Sequence, residues 1–308
     1  MRILTTGLLG FSIFAFVLAG TATAGGGGGG NPSFVVNADF DGDGSTDVGV
    51  YETATGNWFI DASTDGFTIV GGFGGPSFLP VPADYDGDGS ADVAVYNTVN
   101  GDWFSIGTTA GFTATPAFGG TGFTAVPADY DGDGQTDLGV YNATAGAWFL
   151  LESVSGFRAI PGFGGANFTA APADFDGDGS ADPTLYDTTN GAWFSIESTD
   201  GFTITPGFGG PGFDPVPAQY DGDASADLAV YQASAGNWFA LQSSNATVAI
   251  TAGFGGTGFT PTVGDFDGDT TLDLGVYETT AGNWFLDEST AGFTIVGGFG
   301  GTGFSPAR

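Results

Sequence analysis

The chain has 308 residues and a formal charge of −32, with 35 acidic against 3 basic residues. That balance gives no electrostatic basis for binding nucleic acid or an anionic membrane. No Cys, His or Lys occurs, which removes thiol nucleophiles, Ser–His–Asp triads, Schiff-base chemistry, His-ligated zinc and disulfide stapling. Acidity alone would suggest disorder, but 30 Phe and an apolar content of 41% argue for a packed core.

Residues 1–24 read as a secretory signal peptide. Arg2 is the only charge of its n-region, Leu8 to Leu18 forms the apolar core, and Ala22-Thr23-Ala24 supplies small residues for cleavage. A retained anchor over Ile3 to Gly20 is the alternative, but polar and glycine residues interrupt that stretch. Residues 25–32 form a glycine-rich lead with no conformational preference of its own. The remainder, 33–308, reads as one domain of six repeats of about 45 residues, long enough to bury one large core.

Each repeat contains an acidic loop. The first is Asp39, Asp41, Asp43, Gly44 and Asp47, and the second is Asp84, Asp86, Asp88, Gly89 and Asp92. The third and fourth place Asp129, Asp131, Asp133 and Asp137, then Asp174, Asp176, Asp178 and Asp182, at the same positions. The fifth has Gln219, Asp221, Asp223 and Asp227, and the sixth has Asp265, Asp267, Asp269 and Asp273. Successive loops start 45 residues apart, except that the step from Gln219 to Asp265 is 46. Carboxylates on alternate residues of a tight loop converge, and converging like charges repel unless a cation lies between them. Hard oxygen ligands at positions one, three, five and nine, with glycine at six for the turn, suit Ca²⁺. Position twelve of the first loop is Val50 rather than the bidentate Glu of an EF-hand, and no helix flanks it.

The remaining segments carry strand periodicity. In the third repeat an apolar run spans Phe123 to Val126, and Leu138-Gly139-Val140-Tyr141 follows the loop. Trp148-Phe149-Leu150-Leu151 and Phe157 to Ile160 complete the unit, with Gly/Asn/Ser turns between them. Four short strands in about 45 residues are the size of a propeller blade. The predicted fold is therefore an all-β propeller of six four-stranded blades, with a seven-bladed or open, strand-exchanged ring as alternatives. One Trp per repeat (Trp58, Trp103, Trp148, Trp193, Trp238, Trp284), always followed by Phe, is read as inter-blade packing rather than a stacking platform. The Phe of each FGG (Phe73, Phe118, Phe163, Phe208, Phe254, Phe299) is read the same way.

The pattern D-x-D-x-D-G-x-x-D before an apolar strand, with Phe-Gly upstream, resembles the FG-GAP/VCBS repeat family of integrin-α-like propellers. The bacterial branch is the nearer resemblance, through Pro82-Ala83-Asp84-Tyr85-Asp86-Gly87-Asp88-Gly89, and the likeness spans about residues 33 to 302. It implies a Ca²⁺ loop joining neighbouring strands of a blade, up to six ions in all. Two loops depart from the pattern. The fifth has Gln219 for the first acid and Ala224 for the glycine, so it is expected to be the weakest site. The sixth keeps its acids but has Thr270 at the glycine position, which must adopt a positive φ or reshape the turn.

The acids outside the loops scatter over varying repeat positions and form no catalytic pair, so the protein is read as a non-enzyme. The leading expectation is a secreted or cell-surface recognition module whose partner is a glycan or extracellular protein. The alternative is a structural subunit that self-assembles into an extracellular filament or layer. Asn142, Asn167 and Asn245 lie in glycosylation sequons. Two segments compete for the inner strand of the first blade: Phe34 to Ala38, and Phe304-Ser305-Pro306-Ala307 near the C-terminus. The expected arrangement keeps the N-terminal segment in the blade, with the C-terminal one packed beside it as a seam. In the alternative the C-terminal segment completes the blade and frees the N-terminal strand.

Overall fold

The computed structural model describes residues 38–306 together with the short strands Thr23–Gly25 and Ser33–Val35. The signal peptide and glycine lead read from the sequence lie outside the described residues, except where Thr23–Gly25 overlaps them. Six four-stranded antiparallel sheets make up the rest, five of them ordered from an inner strand outward in chain sequence and the sixth taking its inner strand from the C-terminal end. Blade two is typical, with strands Phe78–Pro80, Val93–Asn97, Trp103–Gly107 and Gly111–Thr115. This is the six-bladed propeller that the repeats predict.

Alternation along the second and third strands decides which side chains meet across a blade joint. Tyr and Trp of one blade point toward the following blade, while Val and Phe point toward the preceding one. Tyr96 and Trp103 of blade two thus pack with Val140, Phe123 and Phe149 of blade three. Tyr186 and Trp193 of blade four meet Val230, Phe213 and Phe239 of blade five in the same way. The last joint repeats the pattern, with Tyr277 and Trp284 against Val50, Phe59 and Phe304. Trp and FGG Phe are therefore joint residues, as the repeats suggest.

Each joint is pinned by a buried tyrosine. Tyr186 Oη accepts from Gly210 N at 2.6 Å and donates to Gly210 O at 3.1 Å. The neighbouring indole of Trp193 donates to Phe208 O at 3.0 Å. The first glycine of the FGG is therefore obligatory. Gly209 has φ +113°, and a Cβ there would lie 2.3 Å from Tyr186 Oη. A Cβ on the equivalent glycine of each of the other five joints would lie 2.2–2.4 Å from the Tyr hydroxyl.

Ring closure corrects the expected seam. Phe304, Ser305 and Pro306 pair with Glu52, Tyr51 and Val50, so the C-terminal segment occupies the inner-strand position of blade one. Pro306 stands where Pro80 stands in blade two, and Ala38 accepts from Asp47 N as Ala83 does from Asp92 N. One strand position is thus shared by segments from opposite ends of the sequence. Ser33–Val35 pairs instead with Thr23–Gly25. The physical reason is register: the turn bond from Phe304 N to Gly301 O matches Phe78 N to Gly75 O and carries the chain into the blade from the preceding joint.

Substituting Gly209→Ala is expected to destabilise the fold by about 3 kcal/mol or more, because Cβ meets a buried hydroxyl and positive φ is strained. Tyr186→Phe removes the two glycine bonds without a clash and should cost about 1–3 kcal/mol. Urea unfolding of the two variants measures both values, and the alanine must be the worse.

Candidate metal centres in the blade loops

In blades two to six each acidic loop links the inner strand to the second strand, and in blade one the loop leads from Ala38 into the second strand. In the third loop Asp129 Oδ1 accepts from Gly132 N at 2.7 Å and Asp133 N at 3.3 Å, and its Oδ2 accepts from Gly134 N at 2.9 Å. These bonds wind the chain tightly enough to bring alternate carboxylates together, and Gly134 supplies the φ of +92° that the turn requires. Asp137, at position nine, is buried and accepts from Tyr130 N at 2.8 Å and Ser153 N at 2.7 Å.

Position three decides what the loop can do. Asp131 Oδ2 accepts from Val154 N and Ser155 N at 3.1 and 2.7 Å, but its Oδ1 is buried without a partner. The same orphaned oxygen recurs at Asp41, Asp86, Asp176 and Asp267. A buried carboxylate oxygen with no donor is expensive, and here each one lies among further acids. In five loops three carboxylate oxygens fall within 4.8 Å of one another: Asp39, Asp41 and Asp43 in the first, and Asp265, Asp267 and Asp269 in the sixth. The second, third and fourth combine positions one, three and nine as Asp84/Asp86/Asp92, Asp129/Asp131/Asp137 and Asp174/Asp176/Asp182. Donor type, convergence and the orphaned oxygen all fit a hard metal ion in these five loops.

The fifth loop differs. Gln219 turns its amide nitrogen onto Asp223 O, while its Oε1 accepts from Gly222 N at 3.0 Å. Asp223 N donates to Asp221 Oδ1 at 3.3 Å, so the position-three oxygen that is orphaned elsewhere has a partner here. Gln219, Asp221, Asp223 and Asp227 are not gathered into a three-carboxylate cluster. The sixth loop keeps its winding at the expense of strain. Thr270 adopts φ +71° and donates to Asp265 Oδ2 at 2.7 Å, copying the bond that Gly44 makes to Asp39.

Two features of the loops were not read from the sequence. The turn between the third and fourth strands folds over each loop, so that Ser63 Oγ donates to Asp43 Oδ2 at 2.8 Å and Thr64 N to Asp41 Oδ2 at 2.9 Å. Ser153 and Asp133, and Ser289 and Asp269, repeat the hydroxyl contact. A Ser/Thr recurring some 20 residues after each loop's fifth position is the signal that could have found them. The loops are also tied to one another around the ring. Ala91 N donates to Asp39 O, Thr136 N to Asp84 O, Ala181 N to Asp129 O, Ala226 N to Asp174 O and Thr46 N to Asp265 O. Among the described residues no such bond runs from Leu272 to Gln219.

Environment splits the carboxyl pKa values. Burial pushes Asp47 and Asp182 up to about 7, and Asp92 and Asp137 up to about 6. Burial also raises Asp227 and Asp273. At position five, bonds from Thr64 and the Ser45 amide lower Asp43 to about 2, and bonds from Thr290 and the Thr271 amide do the same for Asp269.

No family model matches the chain, and no curated protein matches it. Among solved structures, a propeller from Agrocybe aegerita superposes with a TM-score of 0.55 at 16% identity, over 93% of this chain and 92% of that one. Its structure was described as the basis of specific recognition of non-reducing terminal N-acetylglucosamine by a lectin. The likeness establishes the shared fold.

Two measurements test the loops. An acid whose pKa rises on folding binds its proton more tightly in the folded state. Metal-free protein therefore gains stability as pH falls from 8 toward 5 and loses it as pH rises through 6–7. Calorimetry in chelator should give a higher unfolding midpoint at pH 5 than at pH 8. The reverse order would show that the position-nine carboxyls ionise freely. Separately, Thr270→Gly relieves a positive φ and should stabilise the protein by about 0.5–1 kcal/mol in urea unfolding, after allowing for glycine's greater unfolded freedom.

Proposed function

We propose that the protein is a secreted, calcium-stabilised propeller of the FG-GAP/VCBS type that recognises glycans without catalysing a reaction. The calcium reading is carried by the orphaned position-three oxygens of five loops, each set among carboxylates at an interval that a hard cation bridges. Positions one, three, five and nine would hold the ion, which supplies positive charge where the fold otherwise gathers like charges. Bonds from the loop carboxylates to the covering turn, and from loop to loop, pass that ordering from blade to blade. Most of the net charge then belongs to metal binding, and zero Cys is consistent with an extracellular protein stapled by ions.

The glycan reading is supported by likeness along nearly the whole chain to a lectin propeller. A second reading, self-assembly, is favoured by the outermost strands of the blades, which expose Ile69, Phe112, Phe202, Ile204 and Phe293. Sedimentation in millimolar Ca²⁺ separates the two, a single propeller-sized species supporting recognition and a polymer supporting assembly.

Extracellular calcium modules bind at roughly 10⁻⁴–10⁻³ M, and an ion that binds only the folded state raises stability by mass action. Millimolar Ca²⁺ should raise the unfolding midpoint well above that in EDTA, and by more at pH 8 than at pH 5, because protons compete at position nine. An unchanged midpoint overturns the calcium reading. In a calcium titration five sites should fill before the fifth loop. Asp131→Ala should remove one ion, whereas Asp221→Ala should leave the number of tightly bound ions unchanged.

A further inference from the structure

The six blades are near-copies, so a ligand site specific to one joint must lie where the copies differ. Cross-strand register isolates one such position. The third strand carries Ile60, Ser105, Leu150, Ser195, Ala240 and Leu286 there, opposite Gly49, Ala94, Gly139, Thr184, Ala229 and Gly275 of the second strand. Large faces small in blades one, three and six, where glycine opposes Ile or Leu. Blade four instead buries two hydroxyls against each other, Thr184 Oγ1 and Ser195 Oγ, at 2.6 Å. A cleft of about 300 Å³ lies beside this pair between blades four and five, larger than the cleft of about 190 Å³ beside Ala94 and Ser105 between blades two and three.

A second departure falls on the same cleft. The extra residue of the 46-residue step lies in the turn after the third strand of blade five, between Leu241 and Val248. In that turn Ala246 has φ +55°, where the equivalent turns of the other blades use Gly66, Gly111, Gly156, Gly201 and Gly292. Backbone strain held in place by its surroundings clusters at ligand sites, and Ala246 lines this cleft. Trp193, Ser195, Glu197 and Thr203 line it from blade four, and Gln242 joins Ala246 from blade five. Thr203 donates to Glu197 Oε1 at 2.5 Å, and Thr247 donates to Gln242 Oε1 at 2.8 Å. The lining therefore offers hydroxyls that donate and accept, one amide and one carboxylate, with no basic group.

We propose that the cleft between blades four and five binds a single neutral pyranose residue of a glycan, a reading that rests on the glycan function above. Paired hydroxyl donors and acceptors match a polyol. Glu197, with no cation beside it among the described residues, disfavours uronic acids, sialic acids and phosphates. A volume at the bottom of the roughly 300–1,000 Å³ range of small-molecule sites fits one ring rather than a longer chain. The central channel is larger, about 430 Å³, but Ala and Pro dominate its wall.

The test uses full-length protein in millimolar Ca²⁺, titrated calorimetrically with the methyl glycosides of glucose, galactose, mannose and N-acetylglucosamine, and with methyl glucuronide. At least one neutral glycoside should bind with a stoichiometry of one, and the glucuronide should not bind. The double variant Thr184→Gly/Ser195→Leu copies the Gly139–Leu150 pair of blade three, conserves volume and should fold normally. Its affinity should fall at least tenfold with the unfolding midpoint unchanged. Gln242→Ala, at the cleft's other wall, should also weaken binding at least tenfold and serves if the double variant is unstable. The same graft in blade one would be silent, since Gly49–Ile60 already has that form, and Ala94→Gly/Ser105→Leu in blade two should leave affinity unchanged. If wild type binds a glycoside and the folded cleft variants bind it equally well, the cleft assignment is overturned while the glycan function stands. If wild type binds no glycoside, both fall.

Discussion

Burial of a tyrosine hydroxyl against a pair of glycines is the contact on which the ring depends. In each blade the second-strand Tyr reaches the FGG that leads into the next blade and receives a glycine N–H there. A buried hydroxyl must be hydrogen-bonded, and these glycines are the only backbone that fits so close to it. The bond fixes the direction in which the chain leaves one blade and so sets the position of the next inner strand. Tyr–Trp on one side and Val–Phe on the other then interlock without adjustment, and six identical steps close the circle.

The acidic loops are a second ring built on the first. Each is anchored by the buried position-nine Asp, and every loop but the sixth donates a backbone bond to the loop before it. Their carboxylates serve two ends that oppose one another. Position one accepts amides and winds the loop, which needs a charge. In five loops winding brings positions one and three together with five or nine, close enough to repel unless a cation lies between them. The fifth and sixth loops show the two ways out when a residue is wrong. Thr270 preserves the winding and accepts strain, whereas Gln219 keeps only the winding bond from Gly222 N, and the loop loses the orphaned oxygen and the bond onward to Leu272.

Much of this was legible because the repeats are nearly identical and local. Loop positions one, three, five and nine lie within nine residues, so spacing alone reports that they converge. The departure of the fifth loop, which lacks the carboxylate triad of the others, follows from two residue identities. By contrast, Ser63 and Thr64 reach the first loop from about 20 residues away, and only the hairpin of the third and fourth strands places them. The cleft between blades four and five is still less visible, since it combines Ser195 with Ala246 of another blade.

Sequence by itself determined blade number, the strand order within a repeat and the clustered acidic loops, because each is set by contacts within one repeat and repeated six times. Ring closure was decided only in three dimensions. Phe34–Ala38 and Phe304–Ala307 have comparable strand character, and nothing local separates them. The choice rests on register against Val50, Tyr51 and Glu52, and on the direction in which the sixth joint delivers the chain. Contacts between residues about 250 positions apart carry no periodic trace, so only the folded ring can rank them.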